Sequence, residues 1–195
     1  MIQIYLVLHF QKKRSMRSAT SPSTVLVNKR ALIQRDGDIV NTDGISPLYF
    51  PTLYNGNYYV SIKHRNHLGI MSSTPVLLSG CFTNLLDFTS SSVYIMPSAA
   101  AAPRRLFGSV YALWAGDANN NKNVKYNGLS NDKDAMLQSI GSSTPNNLLS
   151  GVYRTEDNNM DGKIRYNNFE NDRMVILDNI GVSTPNNLLS QHVPN

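Results

Sequence analysis

Between Thr24 and Ile95 apolar residues come in short runs separated by turn chemistry. Thr24-Val25-Leu26-Val27 and Ala31-Leu32-Ile33-Gln34 are β-branched or apolar runs. Arg35-Asp36-Gly37-Asp38 then marks a turn into Ile39-Val40, because Asp-Gly tolerates the positive φ of tight hairpins. Leu48 and Phe50 alternate around Tyr49, and Tyr54-Asn55-Gly56-Asn57 marks another turn. In Tyr58–His64 the residues Tyr58, Val60 and Ile62 share one face while Ser61 and Lys63 face water, the period of a half-buried strand. Val76-Leu77-Leu78 and Phe88 supply further strands. Short strands at this spacing predict a small antiparallel β-sandwich over residues 24–97.

The pattern changes after Ser98-Ala99-Ala100-Ala101-Ala102-Pro103, which reads as a linker over 98–106. Ala135, Met136 and Ile140, and again Val175, Ile176 and Ile180, recur at helical spacing. Each stripe follows an Asn-Asp pair suited to a helix N-terminus, Asn131-Asp132 and Asn171-Asp172. Each ends at a glycine, Gly141 or Gly181, with Pro145 or Pro185 preventing resumption. Helices of about three turns are marginal alone and must pack on each other and on the strands. The last third of the chain is therefore written twice, in units 117–150 and 157–190 within a region 107–195. Each unit closes on an identical Ser-Thr-Pro-Asn-Asn-Leu-Leu-Ser, ending at Ser150 and at Ser190.

The 195 residues are 41% apolar and 16% charged, which is globular rather than disordered. Abundant Tyr, Asn and Ser with few charges is a surface style common in secreted proteins. The net charge of +5 is unevenly placed: residues 1–106 carry 11 Lys+Arg against 4 Asp, and 107–195 carry 7 against 9 acidic groups. No basic stripe with interleaved aromatics points to nucleic acid. No run approaches the ~20 apolar residues of a membrane span. Met1–Phe10 is apolar, but Lys12, Lys13 and Arg14 follow it, whereas a signal peptide carries its charges first. Residues 1–23 read as a strand or as a terminus from which upstream sequence is missing. Cys81, beside Phe82, is the only cysteine. It excludes an intramolecular disulfide and a Cys-based zinc site, and reads as a small buried hydrophobe.

The start of each repeat carries the candidate chemistry. Ca²⁺ takes alternating oxygens on a tight loop, at positions 1, 3 and 5, a carbonyl at 7 and a late carboxylate, with Gly at 6. The second loop offers Asp157, Asn159, Asp161, Gly162 and the carbonyl of Lys163, then apolar Ile164. The first offers Asp117, Asn119, Asn121, then Lys122 where Gly is preferred, the carbonyl of Asn123, and Val124. Position 12 is Gly128 or Asn168, neither a carboxylate. The shared downstream carboxylate is at position 16, Asp132 and Asp172, so four extra residues, containing Tyr126-Asn127 or Tyr166-Asn167, must bulge outward for it to reach an ion. Asn- and Asp-rich runs also form ordinary turns; repetition in one register favours two Ca²⁺ sites. The loop at 157–172 is expected to be the tighter, with three carboxylates against two.

The paired loop-then-helix units resemble dockerin-type repeats, which lack the entering helix of an EF-hand. The entry Leu113-Trp114-Ala115-Gly116-Asp117, the Asn-Asp helix start and the Gly-x-x-Thr-Pro close resemble C-terminal modules of large secreted bacterial adhesin-like proteins. Ala31–Asp38, Asn57-Tyr58-Tyr59 and His64–Gly69 resemble the small β-domain preceding such repeats, so the resemblance covers residues 24–195. It implies an extracellular or cell-surface setting, Ca²⁺-stabilised repeats and attachment to a larger upstream chain; it names no protein or glycan partner. The expected class is α+β, a small antiparallel β-sandwich followed by two dockerin-like loop-helix repeats. The expected function is that of a non-enzymatic structural or interaction module. The alternative is an accessory carbohydrate-binding or cohesin-binding module of a glycan-degrading system. A polysaccharide-active fragment would need a close carboxylate pair, for which Asp36, Asp38 and Asp43 are poor candidates. His64 and His67 alone do not close a zinc site. Trp114 reads as a packing anchor between the halves, not a ligand platform.

Overall fold

The computed structural model describes residues 11–34, 37–79 and 86–194. Met1–Phe10, Arg35-Asp36 and Cys81-Phe82, singled out above, lie outside them. The chain is α+β, with small antiparallel sheets and two helices among the described residues.

The first part forms one six-stranded antiparallel sheet rather than the expected two-sheet sandwich. Its order is β3 (Ile39–Val40), β2 (Val25–Ile33), β1 (Gln11–Ser18), β4 (Gly56–Lys63) and β5 (Ile70–Met71), with β6 (Val76–Leu78) on the same edge of β4 as β5. β1 falls within residues 1–23, read above as a strand or a terminus, and is the sheet's middle strand. Its residues QKKRSMRS show no apolar alternation, yet Met16 pairs with Val27 on one side and Val60 on the other. Met16, Val60, Ile62, Ile70, Phe88 and Val93 form the sheet's core. Phe88 enters it from a turn, not from the strand expected there. The two apolar runs at 24–27 and 31–34 are one strand, β2.

One face of β4 behaves differently from its pattern. Val60 and Ile62 are buried as expected, but Ser61 on the opposite face is buried too, lying between Ser15 and Met71. Tyr59 on that face meets Tyr94 edge to face, with ring centroids 6.2 Å apart. Lys63 does not point into free solvent; it reaches the first repeat.

The linker region is anchored. Arg104 is buried, donates to the carbonyl of Phe88 and stacks over Tyr111 at 4.1 Å. Arg105 begins β7 (Arg105–Phe107), which pairs with β8 (Val110–Ala112), and donates to Asn179 Oδ1. Leu113 packs on the sheet core and Trp114 on the repeat core, while Trp114 Nε1 donates to the carbonyl of Ala102 (2.8 Å). The tryptophan thus joins the two halves.

The repeats are built alike and completed by each other. In the first, β9 (Asn123–Lys125) precedes α1 (Asp132–Ile140) and β10 (Leu148–Ser150); in the second, β11 (Lys163–Arg165) precedes α2 (Asp172–Ile180) and β12 (Leu188–Ser190). The strands pair across repeats, β10 with β11 and β12 with β9, setting Leu149 against Ile164 and Leu189 against Val124. Asn127 donates to Asn186, and Asn167 to Asn146, both at 3.0 Å. Met136, Ile140, Ile176 and Ile180 turn inward and pack with Val124, Ile164 and Leu189.

The shared closing motif has a specific task. Thr144 Oγ1 and Asn147 Nδ2 both donate to the carbonyl of Ile140, at 3.2 and 3.0 Å. Thr184 and Asn187 do the same for Ile180, both at 3.0 Å. These bonds satisfy a carbonyl that the end of a helix leaves open. Gly141 and Gly181 adopt φ of 100°, and a Cβ there would lie 2.7 or 2.6 Å from the threonine oxygen. Among the described residues no helix is long and apolar enough to cross a membrane.

Candidate metal centre

The residues before each helix fold into the same hydrogen-bonded loop. At position 1, the carboxylate of Asp117 accepts the N–H of Lys122 (3.2 Å to Oδ2), and that of Asp157 accepts the N–H of Gly162 (3.2 Å). At position 3, Asn119 Oδ1 accepts the N–H of Asn121 (3.1 Å), and Asn159 Oδ1 that of Asp161 (3.0 Å). At position 5, the Oδ1 atoms of Asn121 and Asp161 accept the N–H of Asn123 and of Lys163, both at 2.9 Å. Oxygens at 1, 3 and 5 therefore fold back over their own backbone.

Position 16 is drawn in as well. Asp132 accepts the N–H groups of Asn119 (3.2 Å) and Lys125 (2.8 Å). Asp172 accepts those of Asn158 (2.7 Å), Asn159 (3.2 Å) and Arg165 (2.8 Å). Both carboxylates are fully buried. The chain before position 16 bulges through left-handed backbone, with φ of 87° at Gly128 and 57° at Ser130, and 72° at Asn168 and 56° at Glu170; Tyr126 and Tyr166, expected in the bulge, instead pack on the repeat core. The amides of Asn119 and Asn159 tie the bulge down by donating to the carbonyls of Ser130 and Glu170, both at 2.8 Å. Asn131 and Asn171 cap the helices, accepting from the N–H of Asp134 and Met174.

Burial raises the pKa of all four aspartates. Loss of water pushes Asp132 to about 7 and Asp172 to about 6; Asp117 and Asp157 move up for the same reason. Repulsion adds to this, from Asp117 on Asp132 and from Asp157 on Asp172. Each loop thus holds two carboxylates close enough to repel. Of the buried carboxylate oxygens in the two loops, Asp157 Oδ1 has no hydrogen bond, on a residue that is 1% exposed.

Sequence reasoning missed three residues that touch these loops from the end of β4 and the turn after it. Lys63 Nζ lies 3.3 Å from Asp117 Oδ2 and 2.6 Å from Asn120 Oδ1. Arg65 Nη2 lies 3.4 Å from Asp157 Oδ2, and its guanidinium stacks on Tyr153 at 4.2 Å. Between them, buried Asn66 accepts the N–H of Gly116 (2.9 Å) and Asp117 (3.1 Å) on its carbonyl, and its amide donates to the carbonyl of Asp157 (2.6 Å). Residues 63–66 form a bracket that grips the opening of both loops. The split of charge between the basic first half and the acidic second half was the available signal. His64 and His67 stiffen this bracket, their Nδ1 atoms 2.8 Å apart and both rings buried.

The remaining expected site residues divide by loop. Asp161 is drawn toward Arg165 (3.3 Å) as well as toward its loop. Asn123 and Lys163 open β9 and β11, where they pair with Ser190 and Ser150. Among the described residues no three His, Cys, Asp or Glu side chains converge as a ready metal-ligating group; any ion here would draw on Asn and backbone oxygens too. Asp43 accepts the N–H groups of Ile45 and Ser46 within a turn. Compared with known proteins, the chain matches no family model, no curated protein and no solved structure.

Proposed function

We propose that this protein is a non-enzymatic, extracellular Ca²⁺-binding module of dockerin-like build, which ends or docks a larger surface protein. The observation that carries the reading is Asp157 Oδ1, buried and without a hydrogen bond beside a second buried carboxylate. Leaving one carboxylate oxygen dry and without a hydrogen bond costs free energy that a bound cation would return. The donor set suits a hard ion, since it consists of oxygens from Asp, Asn and backbone. Asp157, Asn159, Asp161, the carbonyl of Lys163 and Asp172 would hold one ion; Asp117, Asn119, Asn121, the carbonyl of Asn123 and Asp132 would hold the other. Ca²⁺ supplies charge that neutralises each carboxylate pair. The chain positions the oxygens, excludes water and ties each loop to its helix through position 16, so ion binding is linked to folding.

Calorimetric titration of Ca²⁺ into chelator-treated protein tests the reading. Two binding steps support it; absence of heat together with an unchanged melting temperature overturns it.

A second reading, an accessory glycan-binding module, has one observation in its favour. Exposed Tyr49 and Tyr54 line a cavity of about 690 Å³ beside the sheet, with Gln34 and Asp38 also in its wall. Aromatic faces with a few polar groups suit a sugar ring. Oligosaccharide titrations of wild type and Tyr54→Ala test it: binding that Tyr54→Ala weakens supports the reading, and silence in wild type ends it.

A further inference from the structure

The bracket carries two cations onto the two loops, and each goes to the same place. Lys63 and Arg65 meet the first aspartate of the first and second loop respectively, Asp117 and Asp157. These aspartates stand at equivalent positions of a duplicated unit, so the contact is made twice by unrelated side chains of like charge. The carboxylates are buried, and the Arg65 side chain is only 6% exposed, so water screens these pairs weakly.

From this we infer that Lys63 and Arg65 are internal competitors of the ion. Each supplies, from the sheet, part of the positive charge that a divalent cation would bring to its loop. Without the ion, the pair stabilises the loop and holds it on β4. With the ion, a second positive charge arrives near the same carboxylate, and the side chain must withdraw or suffer repulsion. The sheet therefore sets the affinity of the loops and registers their occupancy at the end of β4. Lys63 is the freer of the two, with a side chain 29% exposed and a flexible stem, so it yields more readily. The inference rests on the Ca²⁺ reading above.

Neutral replacements of Lys63 separate the two ideas. Ca²⁺ is titrated into the chelator-stripped full chain carrying Lys63→Met, Lys63→Gln or Lys63→Arg, and melting is followed with and without chelator. The expected result is that Met and Gln tighten by about tenfold the step that Asp117→Ala abolishes, an order-of-magnitude figure for a charge at this range. The other step is unchanged, and the chelated variants melt below wild type. Lys63→Arg keeps wild-type affinity, and Arg65→Gln tightens the other step. A merely structural Lys63 would lower stability and affinity together; folded Met and Gln variants with equal or weaker Ca²⁺ binding overturn the inference while leaving the Ca²⁺ reading intact. Lys63→Gln is the milder change at a partly exposed position and decides the matter should Lys63→Met fail to fold. No response to Ca²⁺ in wild type or in any variant overturns both.

Discussion

The loop running from Asp117 to Asp132 and the loop running from Asp157 to Asp172 use the same backbone bonds and differ in their tuning. Aspartates at positions 1 and 16 and an asparagine at 3 are common to both, and these side chains organise the loop. Position 5 is Asn121 in one and Asp161 in the other; position 6 is Lys122 against Gly162; the sheet cation is Lys63 against Arg65. Lys122 adopts a φ of 71°, close to the 78° of Gly162, so at position 6 the first loop holds a side chain in left-handed backbone where the second has glycine; at position 12 the order reverses, with Gly128 at 87° against Asn168 at 72°. Loop shape tolerates these changes. Ion affinity should not.

The largest effect tests the shared framework. Asp172→Ala leaves the N–H groups of Asn158, Asn159 and Arg165 without their acceptor, and should cost about 3 kcal/mol or more in chelator by denaturant unfolding. Asp132→Ala, which strips the N–H groups of Asn119 and Lys125 of their acceptor, should follow it within about 1 kcal/mol. A small loss at either would mean that position 16 does not organise that loop.

Chelation comes next. At a hundredfold excess over Kd, each occupied site adds about 2.7 kcal/mol. Hydrogen exchange should show chelator stripping protection from 117–190 well before β1, β2 and β4. Equal loss in both regions would place the ion's effect elsewhere.

Single-site variants then rank the loops. Asp157→Ala should remove the tighter calorimetric step and Asp117→Ala the weaker, since the second loop has one more carboxylate and a glycine at position 6. Reversal of that order would show that the pairing of Asp161 with Arg165 outweighs its charge.

The smallest effect isolates the turn. Lys122→Gly should stabilise the protein by about 1 kcal/mol, and Gly162→Ala should destabilise it by about as much. If thermal unfolding moves for neither, left-handed strain is not what separates the two loops.

Local chemistry was legible in the sequence. The repeats, the helix starts at Asn131 and Asn171, the glycine ends and the outward bulge before position 16 all depend on neighbouring residues, and neighbouring residues carry the pattern. Long-range partners were not. β1 is polar except for Met16 and becomes a middle strand only because β2 and β4 arrive on either side. Ser61 and Lys63 fit the polar phase of a half-buried strand, but that pattern cannot say what covers the second face. The run Lys63–His67 drew notice for its imidazoles, whereas the contacts with the loops come from Lys63, Arg65 and Asn66. The cross-repeat pairing was equally hidden, since Leu-Leu-Ser fits an extended segment beside any neighbour.

That cross-repeat pairing also fixes an order of events during folding. Leu149 and Ile164 are separated by a short loop, so β10 and β11 can meet early. Val124 and Leu189 lie more than a whole repeat apart, and β9 keeps an open edge until β12 arrives. The repeat made first is finished by the repeat made second, so neither is an independent folding unit. Cut out alone, either repeat would carry an unpaired strand edge and would tend to borrow the missing strand from another copy.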